Sequence, residues 1–279
     1  MGLLNFFLNL IALLLWLNWR GRGLQRPGPY GSSLLHTLRS AAPPRPRRWR
    51  YLAGLVVLLV VRALVYRRIG PSFHWVPQLS LEVLSIPFRS DALGRMLLFS
   101  GFSFLLTSAV FYLWLLLLSV VNRGLADDNP VQRLVRLHLG WIEAWPASWK
   151  VLGPMFVTAL IWLGVHPLFA QFGLLPAAGL FRQTLFQGFV LGLATVLAWK
   201  SLLLGMLGLH LVSSYVHLGD SPFWDFVTAT GRNLLKPLRP FPLRAGKFDF
   251  APLVAAVLVW VAMKYAGLGL AAWFGKLPG

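Results

Sequence analysis

Six histidines, eight acidic residues and no cysteine leave little material for chemistry in a chain of 279 residues. His210 and His217 stand seven apart, so a helix would put both on one face, a spacing that suits haem iron. No facing pair is evident, and His36, His74, His138 and His166 lack metal-ligand spacing. Lys200 lies deep in an apolar run, where a cation either marks a pathway or snorkels outward. Arg62 reads as a snorkelling side chain, with Arg67 and Arg68 close by. Thr107 and Ser108 read as helix-packing or back-bonded groups. The acidic residues fall outside the centres of the apolar runs, which argues against a proton- or cation-coupled carrier. No nucleophile triad, phosphate loop or paired carboxylate is present, so the reading is of a protein that is not an enzyme and takes no cofactor or metal.

The densest cluster of special residues is Pro237, Arg239, Pro240, Asp249 and Pro252. Prolines fix φ and stiffen the chain before the last apolar run. Asp249 is placed to cap that run as a helix, and Arg239 to pair with Asp249 or hold a lipid phosphate. Lys236, Arg239, Arg244 and Lys247 form a basic patch suited to anionic headgroups.

The elements that must carry these residues are set by composition. Hydrophobic residues make up 57% of the chain and charged ones 12%, against roughly a quarter charged in a soluble domain. The apolar residues come in runs long enough to cross a bilayer. Trp16, Trp19, Trp75, Trp141 and Trp273 stand near run ends, the headgroup level that aromatic rings favour. The expected fold is an all-α integral membrane protein with six spans: Leu3–Trp19, Tyr51–Tyr66, Met96–Val121, Val151–Phe172, one within Leu185–Leu218, and Phe250–Phe274. The first span, with Arg20 after it and no basic stretch before it, reads as an uncleaved anchor. The fifth is too long for one straight crossing and is expected to tilt, to bend near Gly205 and Gly208, or to project.

The net charge of +18 would suggest nucleic acid in a soluble protein. Here loop bias explains it better, and no nucleic-acid partner is expected. The first, third and fifth loops hold eight, four and five Lys and Arg, the second and fourth four and one. The basic loops should therefore be cytoplasmic and both termini on the far side. Pro130–Ile142, with Val131, Leu134, Val135 and Ile142 on one side, and Phe223–Leu235 read as short amphipathic helices in the interface.

The chain also reads as three copies of a helix–basic loop–helix unit. Asp127-Asp128-Asn129-Pro130 and Asp220-Ser221-Pro222 each follow a span and open an amphipathic stretch, with the residue before proline as the cap. Ser33-Leu34-Leu35-His36-Thr37-Leu38-Arg39 aligns with Asn233-Leu234-Leu235-Lys236-Pro237-Leu238-Arg239. The expected layout is a degenerate repeat over 1–70, a loop over 71–95, a second repeat over 96–172, a loop over 173–184 and a third repeat over 185–279.

The third copy resembles the YggT family of small bacterial and plastid membrane proteins. The resemblance rests on Asp220-Ser221-Pro222, on Leu234-Leu235-Lys236-Pro237-Leu238-Arg239-Pro240, on Pro242 and Gly246, and on Asp249-Phe250-Ala251-Pro252. Ala251 stands where the family has serine, and a third repeat departs from its usual one or two. The resemblance implies a non-catalytic scaffold, or an assembly or envelope-maintenance factor, in the bacterial cytoplasmic membrane. The basic segments point to anionic lipids as associates, together with a membrane-protein partner. The alternatives are a small channel or transporter organised around Lys200, and a haem-handling cytochrome assembly factor.

Overall fold

The computed structural model describes residues 2–24, 48–72, 75–90, 92–125, 129–175, 181–216, 219, 221–241, 243–245 and 248–276. The described chain is almost entirely helical, with two short antiparallel hairpins. Five helical stretches are long and apolar enough to cross a membrane, as a multi-pass membrane protein requires. They comprise α1 (Gly2–Leu24), α3 (Leu93–Val121), α5 (Ala147–Gln171), the stretch containing α6 (Phe181–Ala194) and α7 (Trp199–Tyr215), and α9 (Ala251–Lys276). The second expected span forms as α2 (Trp49–Ser72) but is not among the five. Arg50, Arg62, Arg67 and Arg68 all fall within α2.

The chain divides into two compact units. One comprises Met1–Pro77 and Phe88–Ser108, the other Gln78–Pro87 and Ala109–Gly279. In the first, α1 and α2 pack along each other, and Ala12, Leu55 and Phe104 form an apolar core. Near this core the polar groups are drawn inward. The Arg62 guanidinium donates to the side-chain oxygens of Asn5 and of Asn9, the latter at 2.6 Å. Asn9 donates to Ser103 Oγ at 2.9 Å. Arg62 is 2% exposed, so it does not snorkel. Asn5 and Asn9 are four apart on α1 and hold it inside, a partnership between helices that nearby arginines do not reveal.

In the second unit α5 and α6 pack against each other most extensively. Gly188 and Gly192, four apart, turn one face of α6 against the backbone of α5. A Cβ on Gly192 would lie 2.5 Å from the Met155 carbonyl oxygen, and one on Gly188 2.9 Å from that of Ala159. The long fifth stretch is interrupted by a 3₁₀ segment, Thr195–Ala198, while Gly205 and Gly208 sit inside unbroken α7. Thr195 Oγ1 donates to the Gly192 carbonyl at 2.7 Å, competing with the regular helical bond. Two indoles secure the junction. Trp114 donates to the Ala198 carbonyl at 2.9 Å and Trp199 to the Leu113 carbonyl at 3.0 Å.

Both amphipathic stretches form short helices, α4 (Pro130–Leu139) and α8 (Pro222–Leu234). Asn129 caps α4, accepting from the Val131 and Gln132 amides, and also donates to the Pro222 carbonyl at 2.8 Å. Ser221 makes no side-chain cap at α8, although its amide environment in sequence is the same Asx/Ser-Pro pattern. The buried side of α4 carries Gln132, Val135 and Leu139, while Leu134 is exposed. Its face is thus rotated from the expected one. Val135 and Leu139 pack on Leu115 of α3, and Phe226 and Val227 of α8 on Met206 of α7.

Candidate functional site

The proline-rich segment that precedes α9 forms one wall of a cavity of about 790 Å³. α7 ends at Tyr215, α8 runs back alongside it, and a 3₁₀ turn, Lys236–Leu238, follows with Pro237 in its first turn. A two-residue hairpin, β1 (Arg244–Ala245) and β2 (Phe248–Asp249), pairs Arg244 with Asp249 and leads into α9. His210 and Ser214 from α7, Arg232 from α8, Arg239, and Asp249 with Pro252 at the start of α9 line the space. Leu235, Leu238 and Leu243 complete it with apolar surface.

Gly231 makes this arrangement possible. A Cβ there would lie 2.3 Å from His210 Cγ, so α8 lies directly on the imidazole and Arg232, the next residue, reaches the cavity. His210 is 9% exposed, and its Nδ1 has no hydrogen-bond partner among the described residues. Asp249 behaves as its position predicts: one carboxylate oxygen accepts from the Ala251 amide at 3.0 Å and caps α9. The Asp249 amide donates to the Tyr215 hydroxyl at 3.3 Å, tying the hairpin to the end of α7. Arg239 shares the cavity with Asp249 but does not form an ion pair with it. Two arginines thus face one aspartate whose carboxylate is engaged at a helix start.

Of the other singled-out residues, Asn129, Pro130 and Pro222 meet at the α4–α8 crossing, away from the cavity lining. Lys236 is exposed and does not line the cavity, and Pro240 is an exposed turn residue beside it. Lys200 is half-buried in the first turn of α7. His210 follows ten residues later, about 15 Å along the helix. Thr107 back-bonds to the Ser103 carbonyl at 2.9 Å, the structural role expected of it. Asp220, His217 and Lys247 lie outside the described residues, as do His36, His74, Pro242 and Gly246. Among the described residues no group of three or more His, Asp or Glu side chains is placed to hold a metal ion.

The sequence reading passed over Lys150, which is 6% exposed in the first turn of α5. Its ammonium donates to Ser119 Oγ and to the Glu143 carbonyl, each at 2.7 Å, and meets the Glu143 carboxylate at 3.2 Å. Arg136 lies 3.7 Å from the other oxygen of that carboxylate. A glutamate seven residues before a lysine, across a proline, gave no helical pairing signal, because the two belong to different helical segments. Arg232 was missed for a similar reason: only the α7–α8 crossing at Gly231 places it in the cavity that Arg239 also lines. The Asn5–Asn9 and Gly188–Gly192 pairs did carry a signal, a four-residue spacing inside an apolar run.

Comparison of the chain with protein-family models, with curated proteins and with solved structures finds no match.

Proposed function

We propose that this chain is a non-catalytic membrane scaffold or assembly factor of YggT type, built from three helix–loop–helix repeats. The observation that carries the reading is how the polar side chains of the long helices are used. Arg62, Asn5, Asn9 and Ser103 bond to one another, as do Lys150, Ser119 and Glu143. Trp114 and Trp199 bond backbone carbonyls across α3 and α7. Polar groups that line a transport path must be free to meet the passing solute, whereas these hold helices together. The repeat reading is supported by α4 and α8, each of which follows a long apolar helix and begins at proline.

In this reading the basic loops are cytoplasmic, both termini are periplasmic, and the partner is another protein of the bacterial cytoplasmic membrane. Reporters fused after Arg45, Gly140 and Pro240 should read as cytoplasmic, and those after Ser80 and Ala178 as periplasmic. Uniformly opposite readings would reverse the orientation, and mixed readings would refute six crossings. Crosslinking in native membranes should recover one partner in fixed proportion to this chain, and liposomes carrying the purified protein should conduct no more than empty ones. Conductance abolished by Lys200→Ala would replace the scaffold with a channel.

A further inference from the structure

We propose that the cavity bounded by α7, α8 and the start of α9 binds a phosphate group, that of an anionic phospholipid headgroup, between Arg232 and Arg239. This goes beyond the scaffold reading and stands or falls separately from it. Two observations converge. Arg232 and Arg239 line one cavity, and neither makes an ion pair with a carboxylate among the described residues. Among the described lining residues Asp249, which caps α9 through the Ala251 amide, is the one acidic group against the two arginines, an excess of one positive charge.

The chemistry of the two arginines selects the ligand. Guanidinium groups present paired N–H donors that match the oxygens of phosphate, and an apolar wall strengthens the attraction by excluding water. Leu235, Leu238 and Pro252 supply that wall. A cavity of about 790 Å³ has room for far more than a phosphate ion, so the remainder of a headgroup fits beside it. Its position favours lipid over a free anion. The cavity opens where α7 ends and α9 begins, and helix ends mark the headgroup level of a bilayer. Exposed Phe241 and Phe250 stand at the same place, as aromatic residues of the interface do.

The test uses the full chain in nanodiscs of phosphatidylcholine, with phosphatidylglycerol added as the anionic probe and inorganic phosphate as a separate probe. Bound phosphatidylglycerol is counted by native mass spectrometry. Arg232→Gln and Arg239→Gln should each weaken retention about tenfold, as expected for loss of a charge-assisted hydrogen bond. Lys276→Gln, which removes an exposed charge at the far end of α9, should leave retention within about twofold. Arg232→Lys and Arg239→Lys keep the charge and lose the fork, so retention should fall less than in the Gln variants. They also give a reading should a Gln variant fold poorly. Retention that survives the double Gln change, or that Lys276→Gln reduces as much, overturns the proposal. Tight binding of inorganic phosphate with no preference for phosphatidylglycerol over phosphatidylcholine overturns the lipid as its source.

Discussion

Arg62 and Lys150 are both cations buried among apolar helices, at 2% and 6% exposure, and the protein accommodates them by different means. Arg62 has no carboxylate partner among the described residues. Carboxamide oxygens of Asn5 and Asn9 accept its hydrogen bonds, and its guanidinium carbon lies 5.4 Å from the ring centres of Tyr66 and Phe99. Lys150 has a carboxylate, Glu143, together with a hydroxyl and a backbone carbonyl. The difference follows from the donors. A planar guanidinium spreads its charge and stacks on rings, so several neutral dipoles suffice, whereas a compact ammonium needs a counter-charge close by. It also sets vulnerability. The neutral arrangement depends on every acceptor remaining, while the ion pair has the Ser119 hydroxyl and the Glu143 carbonyl in reserve.

The contrast breaks most visibly at α1. Asn5→Leu combined with Asn9→Leu strands the Arg62 charge, and the expected loss is about 3–5 kcal/mol in unfolding free energy in detergent. Adding Arg62→Met to that pair should recover most of the loss, because no buried charge is then left unpaired. Recovery would show that the cost lies in the stranded cation and not in altered packing. Gly192→Val supplies the purely steric counterpart at the α5–α6 contact, where no charge is involved. Pressing a side chain on the Met155 carbonyl should cost about 3 kcal/mol, measured the same way. Glu143→Gln should cost less, about 1–2 kcal/mol. Glu143 is a quarter exposed, and Lys150 keeps its other two acceptors. Asn129→Ala removes only the α4 cap and the bond to Pro222, with an expected loss of about 1 kcal/mol in thermal unfolding.

What the sequence made legible follows the range of the interactions involved. The long apolar helices needed only local composition, and five helical stretches have the length and hydropathy to cross a membrane. Asp249 was readable as a cap because its partner amide is two residues away. Ser221 followed the same rule and failed, since capping also requires the side chain to turn toward the helix. The break in the long fifth stretch falls at Thr195–Ala198 and not near Gly205 and Gly208, where a bend was one of three outcomes expected. Its carbonyl at Ala198 is satisfied by Trp114, which is 84 positions earlier in the chain. Arg62 was misread because the residues that hold it lie on another helix. At the cavity, Arg239, Asp249 and Pro252 stood out by local pattern, but Arg232 joins them only through the contact of Gly231 with His210.

The central claim is that polar side chains within the long helices are spent on fixing those helices to one another. A double-mutant cycle between Arg62→Met and Asn9→Leu tests it most directly, with unfolding free energies measured for the full chain in one detergent. Ordinary hydrogen bonds between membrane helices couple by about 0.6 kcal/mol on average. A buried guanidinium held by a 2.6 Å bond should couple more strongly, by about 1.5 kcal/mol or more. A coupling near zero would mean that Arg62 and Asn9 act independently, and would contradict the claim.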